Sequence, residues 1–182
     1  MDRQSRSHLT LADGARIRFR AIEPDDADRL RHAFRRLSPT SRYRRFLAPV
    51  QTLSDEQVRT FTHVDAVDHV AWVAELVDQP GRPLAGVARW VRSTHDRRVA
   101  EMAITVVDAF QHRGLGRAML RLLLASAALR GLGWLEATVL AENQPIRALL
   151  REFNARQVGY EMGAIVLRVP VPSPVDQLAM AS

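Results

Sequence analysis

The stretch EMAITVVDAFQHRGLGRAML, residues 101–120, changes character twice. An apolar run of strand-like composition ends at Val107, a polar turn carrying Gly114 and Gly116 follows, and from Leu115 the apolar residues recur at helical spacing. A strand that enters a helix through a tight turn leaves the first N–H groups of the helix without partners. It also presents the positive end of the helix dipole, and the two together suit an anion. Glycine in such a turn admits positive φ and lets a bulky phosphate reach the backbone. Gly114 and Gly116 therefore suggest a phosphate cradle, with an ordinary tight turn as the alternative. Two nucleotide-binding signatures are excluded. The dinucleotide fingerprint requires a third glycine where this chain has Met119, and the P-loop ends in Gly-Lys-Ser/Thr, which a chain without lysine cannot supply.

Outward from the turn, the pattern alternates strands and helices. Upstream, ARIRFRAI (15–22) reads as a half-buried strand and EPDDADRLRHAFRRL (23–37) as a helix with an acidic first turn. SPTSRYRRF (38–46) and SDEQVRTFTH (54–63) read as two more helical pieces, with Ser54 as the N-cap of the second. VAWVAELV (70–77), RPLAGVARWVRS (82–93) and RVAEMAITVV (98–107) are three strands joined by short turns, hence antiparallel. Downstream, a helix from Leu115 to Leu129 closes at Gly131 and Gly133, WLEATVL (134–140) is a buried strand, QPIRALLREFN (144–154) a helix, and YEMGAIVLRV (160–169) a last strand. The fold class is α/β (α+β): a mixed, mostly antiparallel sheet of six to seven strands with helices on both faces. The division expected is an N-terminal segment 1–13, one domain over 14–169, and a flexible tail over 170–182.

Composition narrows the chemistry. The 182 residues suffice for one core, and no apolar run reaches the roughly 18 residues of a membrane span. The start of the chain has no signal-peptide pattern, so the expected location is cytoplasmic. There is no cysteine, which removes thiol nucleophiles and thiolate metal sites, and no metal ligand set stands out. All 26 basic residues are arginine and the net charge is +6. RHAFRRLSPTSRYRRF (31–46) is the one dense basic stretch, and since phosphate-reading basic faces usually come with aromatic platforms or a reading helix, nucleic acid is disfavoured as a partner.

Gln111-His112-Arg113-Gly114-Leu115-Gly116, placed between an apolar strand and a long helix, resembles the Q/R-x-x-G-x-G/A signature of the GNAT superfamily of N-acetyltransferases. Asn143, opening the next helix after WLEATVL, resembles that family's following motif, and the likeness is most specific over residues 100–155. From about Gly14 to about Leu167 the sequence also looks like the acetyltransferase domain of Pat-type protein lysine acetyltransferases. The resemblance implies a GNAT fold, splayed at the cofactor site, and acetyl-CoA as cosubstrate. It further implies pyrophosphate on the amides of 111–117, pantetheine along the main chain of Ile104, Thr105 and Val106, and Asn143 near the pantetheine or acetyl region. Arg113 and Arg117 are then placed to meet phosphate oxygens. The implied partner is an amine acceptor, a protein lysine first and a small molecule second, and a homodimer is compatible with the sequence.

Acetyl transfer needs a neutral amine, yet a lysine-like amine has a pKa of about 10.4 and requires a base. Glu101 is the candidate, because a carboxylate inside VAEMAITVV is costly without a purpose or a partner. It precedes Ile104 by three residues, roughly 10 Å of extended chain, which places it beyond the thioester. In Pat-type enzymes, which the chain resembles, a glutamate at the matching position is the general base. The structural alternative pairs Glu101 with Arg89 or Arg98 on neighbouring strands. Asp65 and Asp68, in FTHVDAVDHVAW (61–72), are candidates for recognising a cationic acceptor, with a turn role as the alternative for Asp65. Where many GNAT enzymes carry an acid tyrosine this chain has Leu150, and Asn154-Ala155 replaces the family's Gly-Phe. A thiol of pKa about 8.5 can leave without a dedicated acid, so direct transfer in a ternary complex survives. The reading from a different class is a noncatalytic acyl-CoA-binding domain.

Overall fold

The strand–turn–helix unit around Gly114 lies in the middle of an eight-stranded sheet, seen in a computed structural model that describes residues 7–161 and 163–172. The strands are β1 (Ser7–Thr10), β2 (Arg16–Ala21), β3 (His69–Leu76), β4 (Leu84–Arg92), β5 (Val99–Val106), β6 (Trp134–Leu140), β7 (Arg156–Glu161) and β8 (Ala164–Pro170). The helices are α1 (Ala27–Arg35), α2 (Pro39–Phe46), α3 (Asp55–Thr62), α4 (Leu115–Ala128) and α5 (Gln144–Glu152). The spatial order is β1-β2-β3-β4-β5-β6-β8-β7, with every neighbouring pair antiparallel except β5 and β6. The sheet is thus mixed and mostly antiparallel, as expected, with eight strands rather than six to seven.

Local chemistry sets the helix ends. Ser38 accepts the Ser41 N–H at 3.1 Å, and Ser54 and Gln57 form a reciprocal capping box at 3.1 and 2.9 Å. α4 ends as Gly131 turns left-handed (φ +70°), which brings the Leu132 N–H to the Ala127 carbonyl at 3.1 Å. On one sheet face, Trp90 of β4 is fully buried and donates to Ser126 of α4 at 2.8 Å. Gly86 lies under the same helix. A Cβ there would come within 2.9 Å of the Thr105 carbonyl and 3.0 Å of the Met119 sulfur, so only glycine lets α4 settle this close. On the other face Val87, Arg89 and Thr105 meet Phe34, Phe46 and Phe61 of α1–α3. Met119, Leu120, Leu123 and Ala127 of α4 are wholly buried, and each such leucine contributes about 2 kcal/mol of burial.

Two strands lie beyond those expected. β1 pairs with β2 through the turn at Leu11–Gly14, so the sheet begins before residue 14. The segment expected as one strand at 160–169 is a hairpin: the chain reverses at Gly163 (φ +80°), and β7 is the outer edge. Of the tail expected from 170, residues 173–182 lie outside the described residues, as do 1–6 of the N-terminal segment.

Candidate active site

β5 and β6 pair in parallel at only three positions, Val99 with Trp134, Ala100 with Leu135 and Glu101 with Glu136. Beyond them the strands separate and a cleft of about 770 Å3 opens, floored by 101–106 of β5 and 137–139 of β6 and closed by the starts of α4 and α5. From Met102 on, one edge of β5 has no strand partner, which leaves main-chain groups for an extended ligand. Ile104, Thr105 and Val106 line this stretch.

The end of β5 is tied to α2 by polar contacts. Asp108 accepts from the Ser38 N–H (3.1 Å), the Ser38 hydroxyl (2.8 Å) and the Ser41 hydroxyl (2.9 Å). Burial alone would raise its pKa, but these donors outweigh burial and hold the carboxyl below the usual range. The Gln111 side chain donates to the Val106 carbonyl at 3.0 Å and to the Ser41 hydroxyl at 3.3 Å, so it braces the turn rather than reaching outward.

In the turn, His112 (φ +58°) and Gly114 (φ +83°) are both left-handed, which folds successive N–H groups toward one side. The first helical hydrogen bond of α4 runs from the Ala118 N–H to the Gly114 carbonyl at 3.1 Å, so the N–H groups of Leu115, Gly116 and Arg117 have no partner within the helix. The two glycines do different things. Around Gly114 there is room for a Cβ, and its conformation is what needs glycine; at Gly116 a Cβ would make ordinary contact with Leu149 at 3.5 Å, and glycine there keeps the helix start bare toward the cleft. Leu115 is buried and anchors the turn, while His112 is exposed. Arg113 pairs with Asp13 and lies over the Phe110 ring at 5.8 Å, outside the cleft lining. Arg117 stands at the rim, 2.5 Å from Glu152. Asn143 lines the cleft and makes no capping hydrogen bond with its side chain.

Glu101 is exposed into the cleft, at the point where β5 and β6 part. Among the described residues no cation lies within ion-pair distance of it. Arg89 instead stacks on Phe61 at 4.3 Å and donates to the Phe61 carbonyl and His69 Nε2, both at 3.2 Å. Arg98 packs its guanidinium against Gly133. The positive charge that acts on Glu101 comes from Arg45 of α2, another residue of the cleft wall. Burial lowers the pKa of Arg45 and Glu101 opposes that shift, whereas Arg89 is pushed down to about 9 by burial and then by Arg45. His69 is lowered by burial and then by Arg89. Arg45 is not singled out by the sequence, and Arg89 enters there only as a possible partner of Glu101, although it interrupts the apolar run LAGVARWV just as Glu101 interrupts its own.

Asp65 and Asp68 are not among the residues lining the cleft, and Asp65 has the turn role given as its alternative. One Asp65 oxygen accepts from the N–H groups of His69 (2.8 Å), Val67 (2.8 Å) and Asp68 (2.9 Å), and these bonds hold its carboxyl below the usual range. Asp68 is occupied by Arg97 at 2.8 Å and Arg92 at 2.7 Å. Leu150 is fully buried beside the cleft, and neither Tyr43 nor Tyr160 lines it. Asn154 takes the left-handed conformation (φ +60°) expected after α5.

The Acetyltransferase (GNAT) domain family matches residues 16–156. Acetyltransferase Pat of Mycolicibacterium smegmatis is 32% identical over 158 residues, which are 87% of this chain and 46% of that protein. The chain thus spans about half the length of that relative. The crystal structure of the GNAT domain of S. lividans PAT superposes with a TM-score of 0.83 at 31% identity, covering 93% of this chain and 99% of that one. The fold is shared with yncA from Salmonella typhimurium, a structure with its cofactor acetyl-CoA, at a TM-score of 0.65 and 18% identity over 86% of this chain and 94% of that one.

Proposed function

The chain belongs to the GNAT acetyltransferase domain family, and from that premise we propose that it transfers an acetyl group from acetyl-CoA to a primary amine by direct attack, with Glu101 as general base. The carrying observation is the unpaired carboxylate of Glu101 at the point where β5 and β6 separate. The site fits the cosubstrate. The free N–H groups of Leu115, Gly116 and Arg117 suit the pyrophosphate, the unpaired edge of β5 over Ile104–Val106 suits the pantetheine arm, and the Asn143 carboxamide is open to it. Acetyl-CoA supplies an acyl group on a good leaving thiolate. Glu101 accepts the proton that leaves the amine as the N–C bond forms and the C–S bond breaks, and the departing thiolate needs no acid residue. Arg45, whose charge acts on Glu101, adds to this by disfavouring an ammonium nearby.

The acceptor proposed first is a protein lysine, on the likeness to Pat-type domains, with a small-molecule amine second. Glu101→Gln tests the mechanism, since it keeps shape and removes proton acceptance. Acetyl-CoA affinity should persist while kcat falls by roughly 10² to 10⁴. Near wild-type turnover at saturating acceptor would remove Glu101 from the reaction.

A further inference from the structure

Three charged residues are buried among the described residues: Asp26, Glu75 and Arg89. The two carboxylates are neutralised, since Arg20 and Arg29 pair with both and Arg18 with Glu75. Arg89, 7% exposed, has no such partner among the described residues. Its hydrogen bonds go to a carbonyl and to the imidazole of His69, whose pKa is lowered by burial and then by Arg89, and a buried charge without a counter-charge is strongly unfavourable. A second guanidinium stands beside it instead. Arg45 lies 5.9 Å from the centroid of the same Phe61 ring that Arg89 covers, and it too has no carboxylate within ion-pair distance among the described residues.

The two cations border a cavity of about 50 Å3 walled by Phe34, Phe46, Phe61 and Val87. It adjoins the large cleft, because Arg45, Phe46 and Thr105 line both. A group entering the cavity from the cleft therefore meets apolar walls and two guanidiniums together. That combination of surfaces suits an anion on a short aliphatic spacer. The small volume suits a carboxylate, whose planar pair of oxygens is complementary to guanidinium.

We propose that Arg45 and Arg89 form a binding site for a carboxylate carried on a short aliphatic chain by one of the reacting molecules, either the terminal carboxyl of a dicarboxylic acyl group on CoA or the carboxyl of the amine acceptor. The proposal rests on the acyl-transfer reading and names its specificity. Nothing in it alters the chemistry: the same N–C bond forms and the same C–S bond breaks.

Two matched pairs separate the sources. In the donor arm kcat/KM is compared for succinyl-CoA and butyryl-CoA with one uncharged-tail amine; in the acceptor arm, for γ-aminobutyrate and n-butylamine with acetyl-CoA. One arm should favour the carboxylated member by roughly 10- to 100-fold, the range expected for charge-assisted hydrogen bonds. Arg89→Met and, separately, Arg45→Met should bring that ratio to about one or below, and Arg89→Lys should restore part of it. A ratio measured on one preparation is independent of the folded fraction, and half-buried Arg45 supplies a variant less able to disturb the core. If no pair turns over, the acyl-transfer reading fails, and calorimetric affinities for succinyl-CoA against butyryl-CoA, and for γ-aminobutyrate against n-butylamine on CoA-loaded protein, still read the site. Equal values within both pairs, or a preference unchanged in both methionine variants, would overturn the proposal.

Discussion

At Gly114 and Gly116 two glycines two positions apart answer to different forces, and substitution separates them. Gly114→Ala places a Cβ in open space but forces alanine to φ +83°, so it should cost about 1–2 kcal/mol of stability. Gly116→Ala should fold nearly as well as the parent, since its Cβ meets only Leu149 at ordinary distance. Gly116→Glu should fold too, yet put bulk and negative charge at the bare helix start and abolish CoA binding. Thermal midpoints and calorimetry on the three variants read this directly, and unchanged affinity in folded Gly116→Glu would take the phosphate cradle off α4. The sequence located this turn because glycine and a strand-to-helix change are local signals. Glu101 was equally legible as a charge in an apolar strand. Arg45 was not, because a helical arginine in a basic stretch looks solvated until packing against Phe46 and Phe61 is known. The turn role of Asp65 was legible too, whereas the partners of Asp68, Arg92 and Arg97, were not, because they depend on how the loop folds back.

The elements that make the cleft are β5, β6 and α2, and only part of their arrangement is written locally. The apolar runs of β3 to β6 and the helix periodicities predict elements; β1 and β7 lack such a signal, β1 being short and β7 an edge strand exposed along nearly its whole length. Pairing of α2 with the end of β5 is longer range, through Asp108 to Ser38 and Ser41. Asp108→Asn should therefore loosen α2, and Arg45 with it, at a cost of about 1–2 kcal/mol, moderated because the cluster is half-exposed. The sign of its pH dependence follows from the lowered carboxyl pKa. The stabilisation is fully present above the unfolded aspartate value of about 3.9 and is lost as pH falls through the lower folded value. Denaturation midpoints measured from pH about 7 to about 2.5 should fall less steeply in Asp108→Asn than in the parent. An equal slope would mean that the cluster contributes nothing to acid stability.

Across the molecule, much of the positive charge among the described residues is taken up in packing. In the dense stretch 31–46, Arg42 donates to the carbonyls of Leu37 (3.1 Å), Gln51 (3.0 Å) and Arg35 (3.1 Å), Arg31 pairs with Asp55, and Arg45 turns inward. Those contacts use guanidinium's several fixed donors, which an ammonium could not supply in the same way. An all-arginine chain also has a chemical consequence for an acetyl-transferring protein. Its 26 basic side chains include no lysine, and guanidinium stays protonated and non-nucleophilic at neutral pH, so no side-chain amine exists to accept an acetyl group from a bound thioester. Only an α-amino group is left. After prolonged incubation of this chain with excess acetyl-CoA, intact-mass spectra should show at most one added acetyl that survives hydroxylamine, which strips esters from hydroxyls and leaves amides. Acetylation of an added lysine peptide in the same tube would then report transfer to the acceptor without competition from the enzyme's own side chains. Two or more hydroxylamine-resistant acetyls would show a nucleophile in this chain other than an amine side chain, and the direct-transfer mechanism would have to be rebuilt around it.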